Sequence, residues 1–376
     1  MDALMTTLPK DWEIKTFRDI STINQGLQIP ISQRLKAPTE HAKFYITIQA
    51  LNNRKEFEYI KTYNESVVCH KDDILMTRTG NTGMVITNIE GVFHNNFFKI
   101  NFDRTLINKD FLVYFLSLEQ TQRTILKKAG TSTIPDLNHN DFYSLTIPLP
   151  PLNEQIAIAN ILSTLDRYLC VLDALILKKG SVKKTLSFEL LNQRKRLKGF
   201  NQTWQRVRLG DIANYLTSNL SAEQITQQGK IKVYDVNNFI GYTDTTFISD
   251  KPYISIVKDG SVGRVRILPP KTNILSTMGA LVANHRTTTE FLFYLLSNFD
   301  FKNFTSGSII PHIYFKDYKE KTIFLPPLNE QSAIANILSA LDKEIASLKN
   351  KKRQFENIKK ALNHDLMSTK IRVLKK

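Results

Sequence analysis

Cysteine is nearly absent from this chain: Cys69 and Cys170 are the only two in 376 residues. Two thiols so far apart exclude a disulfide framework and a cysteine-ligated metal knot, and a reducing cytoplasm is the expected setting. No glycine run ends in Gly-Lys-Ser/Thr, so a phosphate-cradling loop of the P-loop kind is missing. His41, His70, His94, His139, His285, His312 and His364 are scattered, and none has paired-ligand spacing. No apolar run approaches the about 18 residues that a membrane helix needs. The N-terminal MDALMTTLPK lacks the apolar core of a signal peptide. Glu13-Ile14-Lys15 imitates the end of a nuclease site, but its counterpart Gln205-Arg206-Val207 cannot bind a metal. These absences point to a soluble, cytoplasmic protein with no metal and no catalytic constellation of its own.

Negative charge is also in deficit. Lysine and arginine number 51 against 35 acidic residues, a net charge of +16. Such a field favours polyanions, with nucleic acid the first candidate. The hydrophobic fraction of 42% suffices for real cores.

What is abundant is repetition. LPPLNEQIAIANILSTLD at Leu149–Asp166 returns as LPPLNEQSAIANILSALD at Leu325–Asp342, differing only at Ile156/Ser332 and Thr164/Ala340. The match continues more loosely through VKKTLSFELLNQRKRL and IKKALNHDLMSTKIRV without a gap. A repeat this close divides the protein into two halves, each ending in the same arm. Pro150-Pro151 forbid a helix through themselves, and Asn153 is placed to cap the helix that follows. From Ile158 the apolar residues fall at Ile158, Leu162, Leu165, Leu169, Leu172 and Ile176, and in the copy at Ile334, Leu338, Leu341, Ile345 and Leu348. Steps alternating four and three form a coiled-coil seam. Each helix is expected to run about 45 residues, or about 65–70 Å. Two readings stay open, a pair of amphipathic helices in one ordinary core and a projecting two-helix rod; length favours the rod. Gly180 is expected to bend or fray the first helix. Lys179, Lys183, Lys352 and Lys359 make the seam polar and predict looser packing there.

The halves open alike, at Trp12 in WEIKTFRDIS and Trp204 in WQRVRLGDIA. Phe44–Gln49 alternates like a short strand. DDILMTRTGNTGMVI at Asp72–Ile86 then matches PYISIVKDGSVGRVRI at Pro252–Ile267, with Gly80 on Gly260 and Gly83 on Gly263. Each reads as a strand, a glycine turn and a second strand. Phe111–Ser117 and Phe291–Ser297 predict short buried helices. TSTIP at Thr131–Pro135 and GSIIP at Gly307–Pro311 read as polar loops leading to a final strand. The expected organisation is α/β (α+β): a module over 1–151, an arm over 152–198, a second module over 199–327 and a second arm over 328–376.

The glycine hairpins carry the candidate chemistry. Arg78 precedes Gly80, and Lys258 precedes Gly260; Asn81 and Thr82 face Ser261, with Arg264 and Arg266 following. Cations on such a turn neutralise phosphates, and arginine can bond guanine bidentately. A turn with solvated charges is the plainer alternative. Thr131, Ser132, Ser306 and Ser308 are weaker candidates for phosphate contact.

The doubled LPPLNEQ-x-AIANILS-x-LD block, the helix ending in LLNQRKRLKGF and the restart WQRVRLGDIA resemble the specificity (S) subunit of Type I restriction–modification systems. The resemblance covers nearly the whole chain and is strongest in the arms. It implies two globular target recognition domains, joined by two long antiparallel coiled-coil helices with pseudo-two-fold symmetry, each domain reading one half of a split double-stranded DNA target. It implies no catalysis and no bound cofactor in this chain. Two modification subunits would use S-adenosylmethionine to methylate adenine, and restriction subunits would use ATP and Mg to cut DNA. It also makes Asn153, Glu154, Gln155, Asn329, Glu330 and Gln331 candidates for docking the modification subunits; the same block serves equally as a structural helix start. Asn192-Gln193 departs from the Thr-Gly-type break of related chains. Two other functions stay open: a nuclease or methyltransferase with an unusual site, and a coiled-coil scaffold binding RNA or protein.

Overall fold

Two units make up the chain, and the division falls inside both long helices. Unit 1 holds the residues up to Val171 together with those from Lys351 onward, and unit 2 is Leu172–Asn350. The structure is a computed structural model and describes residues 8–52 and 57–373.

In unit 1 the strands are β1 (Glu13–Thr16), β2 (Ser21–Gln25), β3 (Lys43–Ile46), β4 (Tyr59–Ile60), β5 (Val68–Cys69), β6 (Ile74–Thr77), β7 (Val85–Ile86), β8 (Gly91–Phe93), β9 (Phe97–Phe102) and β10 (Thr146–Leu149). They form an antiparallel sheet β2-β9-β6-β7, a mixed sheet β4-β3-β8-β5 and the pair β1-β10. The stretch expected to be a strand to Gln49 ends at Ile46, and a short helix, Ile48–Asn52, takes over. Helices α1 (Lys109–Leu116) and α2 (Glu119–Ala129) cover one side of the core. Asn108 caps α1 by accepting the Phe111 N–H at 3.0 Å. Phe17, Phe98, Phe111 and Phe142 fill the larger core with Leu162, Leu366 and Met367, so the chain's last helical turn belongs to its first module. Tyr45, Val92, Phe93 and Phe97 fill a second cluster between the two sheets.

Unit 2 repeats the plan with β11 (Gln205–Arg208), β12 (Ala213–Thr217), β13 (Ile231–Tyr234), β14 (Phe239–Thr243), β15 (Tyr253–Val257), β16 (Val265–Leu268), β17 (Asn273–Ile274), β18 (Met278–Ala283), β19 (Thr305–Ser306), β20 (His312–Ile313) and β21 (Thr322–Leu325). The sheet β12-β18-β15-β16 answers β2-β9-β6-β7, and β11-β21 answers β1-β10. Strand β15 is buried along its whole length, which is why YISIV carries no alternating polar face.

The first arm is α3 (Leu152–Leu191), the short helix of the second module is α4 (Thr289–Ser297), and the second arm is α5 (Leu328–Met367). Each arm has 40 residues, about 60 Å at 1.5 Å per residue, somewhat shorter than the periodicity predicts. Neither Gly180 nor the lysines interrupt the helices. Of the expected seam, Ile158 and Leu162 are buried in the core of the first module, Ile334 and Leu338 in that of the second, and Leu172 on the arm, while Leu165, Leu169, Ile176, Leu341, Ile345 and Leu348 are only partly buried. The lysines are matched instead of loosening the packing: Lys179 pairs with Glu344 at 2.8 Å, and Lys183 with Asp342. In unit 1, Lys359 pairs with Asp166. Tyr168 packs against Phe355 in the same unit, with ring centres 4.6 Å apart. Within each unit the residue numbers of one partner rise as those of the other fall, so the two helical segments run antiparallel there. Both arms end in a left-handed turn supplied by a residue other than glycine, Gln193 (φ 56°) and Thr369 (φ 63°). Among the described residues no helix is long and apolar enough to cross a membrane.

Candidate nucleic-acid interface

The glycine turns between β6 and β7, and between β15 and β16, are built as expected. Gly80 and Gly83 have φ of 87° and 91°, and Gly260 and Gly263 have 81° and 79°, a region that side chains resist. At Gly263 a Cβ would also stand 2.6 Å from the Phe301 ring. Each turn then receives the polar loop from later in its module. Leu137 N–H donates to Arg78 O, and Ile313 N–H to Lys258 O, both at 2.9 Å. Single bridges follow at Thr79–Asp136 and Asp259–His312.

The side chains on these edges differ between units. Arg78 is largely enclosed: Nε donates to Asp136 Oδ1 at 3.1 Å, Nη2 to Oδ2 at 2.7 Å, and the guanidinium lies 5.4 Å from the Phe98 ring centre. Thr79 donates to the same carboxylate. Burial alone would raise the Asp136 carboxyl, but these hydrogen bonds and the arginine charge outweigh it and hold it below the ordinary range. Thr82 is buried, and its hydroxyl donates to Pro135 O at 2.7 Å. Arg78 and Thr82 therefore brace the loop, a role the spacing of the turn did not disclose; Asp136 is the partner that sequence reasoning missed. Asn81 is exposed beside them.

In unit 2 the corresponding cation, Lys258, is half-buried and its ammonium has no partner among the described residues. His312 stands where unit 1 has Asp136, and its Nδ1 lies 2.6 Å from Asp259 Oδ1. Ser261 is exposed. Arg264 and Arg266 hold the loop between β13 and β14: Arg264 Nη2 donates to Asn237 Oδ1 at 2.8 Å, Arg266 Nη1 to Asn237 O at 3.0 Å, and Arg266 also covers the Tyr234 ring. Thr131, Ser132, Ser306 and Ser308 are all exposed at their loop tips. So are residues the sequence reading passed over: Ile134 at 62%, Ile309 at 91% and Ile310 at 55% exposure. Their alignment just before Pro135 and Pro311 was the available signal.

The LPPLNEQ blocks are a correction. The helices begin at Leu152 and Leu328, so Asn153 does not cap; its Oδ1 accepts the Glu154 N–H at 3.0 Å, as Asn329 does for Glu330. Glu154, Gln155, Glu330 and Gln331 are buried and committed to their own chain. Glu154 accepts from Trp12 Nε1 at 3.1 Å and from Arg372 Nε at 2.8 Å and Nη2 at 3.0 Å; Arg372 also reaches Asp11. Glu330 accepts from Trp204 Nε1 at 2.9 Å and from Arg196 Nη2 at 2.7 Å. Gln155 accepts the Asn108 N–H at 2.9 Å while donating to Leu106 O and Pro150 O. Gln331 accepts from Thr288 N–H at 3.0 Å and donates to Arg286 O and Pro326 O. These four side chains fasten module to arm and leave nothing free for a partner. Only Asn153 and Asn329 of the six candidates face solvent. Deeper along the arms, Tyr114 donates to Asp166 at 2.6 Å and Tyr294 to Asp342 at 2.9 Å. Burial, then the bonded carboxylate, pushes both phenols well up.

Comparison with known proteins agrees with this doubled plan. The chain matches the family model described as the Type I restriction modification DNA specificity domain over residues 9–176 and again over 201–357. It is 24% identical to the Type I restriction enzyme MjaVIII specificity subunit of Methanocaldococcus jannaschii, covering 97% of this chain and 94% of that one. It is 27% identical to the putative MjaX specificity subunit of the same organism, covering 97% and 95%. Among solved structures it resembles the Type I restriction–modification S subunit of M. genitalium, with a TM-score of 0.63, 20% identity, and 98% and 99% coverage.

Proposed function

We propose a function from the premise that this chain belongs to the family of Type I restriction–modification DNA specificity proteins. Each unit reads one half of a split double-stranded DNA target, and the chain brings two modification subunits, and with them the restriction subunits, to that target. The observation that supports this most directly is the doubled edge, a glycine turn with a polar loop docked on it. The two edges share one backbone plan and present different side chains, as two readers of different half-sites would. Among the described residues no group of three or more His, Cys, Asp or Glu stands close enough to hold a metal. S-adenosylmethionine, ATP and Mg belong, on this reading, to the partner subunits.

With Glu154, Gln155, Glu330 and Gln331 turned inward, recruitment falls to other surfaces. On α3, Leu175, Leu177 and Val182 are 38%, 71% and 45% exposed. Apolar side chains left in water on a helix suit a protein partner, and the modification subunit is the one this reading requires. Their repeat positions on α5 are Lys351, Arg353 and Ile358.

Mapping methylated adenines in DNA from cells carrying the complex gives the target. Full-length chain is then titrated against duplexes with either half scrambled. Loss of preference on scrambling each half is the expected result. A chain with no sequence preference, or one that alone methylates or cuts DNA, would overturn the proposal.

A further inference from the structure

Isoleucine exposed on a protein surface is ordinary when it occurs singly. Here it recurs. Ile134 and Ile310 occupy the same place in the two repeats, immediately before Pro135 and Pro311, and both lie more than half in water. Their loops otherwise differ: TSTIP against GSIIP, with Ile309 added in unit 2 at 91% exposure. In unit 2 the loop is the tip of a hairpin, with Thr305 opposite Ile313 and Ser306 opposite His312. In unit 1 it follows α2 directly. Two different approaches thus deliver the same apolar side chain to the same glycine turn.

The loops are held where they stand. Pro311 O accepts the Gly260 N–H at 2.9 Å, and Pro135 O accepts the Thr82 hydroxyl at 2.7 Å. A residue before proline is confined to extended conformations. The isoleucine backbone is therefore set in advance, and little freedom is lost when its side chain meets a partner. The same loops carry hydroxyls, and in unit 2 the loop docks on the turn that carries Lys258, whose ammonium has no partner among the described residues, in a chain of net charge +16. Phosphates answer the cation and the hydroxyls. The apolar feature that duplex DNA displays among its polar base edges is the thymine methyl in the major groove.

We infer that Ile134 in unit 1 and Ile309 with Ile310 in unit 2 read thymine methyl groups, one set in each half of the target. The inference rests on the DNA-reading function proposed above and adds the chemical feature that is read. Hydroxyls and lysine hold the backbone of the duplex while isoleucine reports the base.

The test uses full-length chain and its target duplex with each thymine replaced in turn by deoxyuridine, which lacks only that methyl. For the unaltered protein, about a three- to fivefold loss is expected at one or two positions in each half, the value of one buried methyl group. Ile134→Ser should abolish the uracil response in one half alone, and Ile309→Ser with Ile310→Ser in the other. These side chains stand in water, so the variants should fold, and circular dichroism checks that. Uracil responses that persist in the variants, no response in the unaltered protein, or a half-target made only of G·C pairs would each overturn the inference. In all three cases sequence preference survives. Failure of the parent reading is a different result, no preference among duplexes at all.

Discussion

Unit 1 and unit 2 dock a late loop onto a glycine turn through an equivalent backbone bond, Leu137 N–H to Arg78 O and Ile313 N–H to Lys258 O, yet they treat the cation on that turn in opposite ways. Arg78 is clamped by Asp136 and laid against Phe98. Lys258 has no partner for its ammonium among the described residues, and the acidic group of its turn, Asp259, is taken by His312. Aligned residues of like charge are therefore placed differently: one braces a loop, while the other, unbonded among the described residues, is left for the phosphate contact of the proposed function. An alignment of the repeats shows the shared cation but not this division of labour, because the deciding partners lie over 50 residues further along the chain, at Asp136 and His312.

The largest effect that would sharpen the comparison comes from the part the units share. Glu154→Ala strips Trp12 Nε1 of its buried acceptor and leaves Arg372 with Asp11 alone, and Glu330→Ala strips Trp204 Nε1 and Arg196 in the same way. Each lost charge-assisted hydrogen bond costs about 1.5–3 kcal/mol, and each variant loses at least two. Amide exchange should show lost protection at β6 and β9 for the first and at β15 and β18 for the second. Equal loosening of both units by one substitution would mean that the locks are not separate. Next in size is the clamp. Arg78→Ala and Asp136→Ala should each weaken binding to one half-target, by about 1.5–3 kcal/mol for a charged hydrogen bond. The double variant should lose no more than the worse single one, because the pair acts as a unit. Additive losses in a double-mutant cycle would show that Arg78 touches DNA independently of Asp136.

Smaller is the response of Lys258→Ala. One phosphate contact fewer lowers the slope of log affinity against log salt by about 1. The loss should be equal on target and scrambled duplex, whereas a loss confined to one sequence would make Lys258 a base contact. The smallest effect is of pH on the clamp. The Asp136 carboxyl is held below its ordinary range in the folded protein. Its contribution is thus complete above the unfolded carboxyl value and disappears as pH falls through the folded one. The Leu137 N–H, bonded to Arg78 O, should then exchange faster than intrinsic rates explain, and Asp136→Asn should remove that pH response.

The doubled plan was legible because arms and hairpins are written in local signals, a heptad seam and paired glycines. The antiparallel partnering of Lys183 with Asp342 and of Lys359 with Asp166 was not, so those lysines read as weak packing when they are ion pairs. The inward turn of Glu154 and Gln155 was equally hidden. A polar LNEQ at a helix start looks like surface until the distant Trp12 and Arg372 are brought to it. The aligned Arg196 and Arg372 were in the repeat all along, without a local pattern to say what they hold.

The arrangement of the cores also bears on the order in which the protein is made. Unit 2 is one unbroken stretch, Leu172–Asn350, whereas unit 1 draws on both ends of the chain. Leu366, Met367 and Arg372 complete the core and the lock of the first module. Synthesis runs from the N-terminus, and domains fold as units once their residues are available. The module translated first is therefore finished last. Unit 2 has all its residues before Lys351 is added, while the core around Phe98 is complete only once Leu366 and Met367 have left the ribosome.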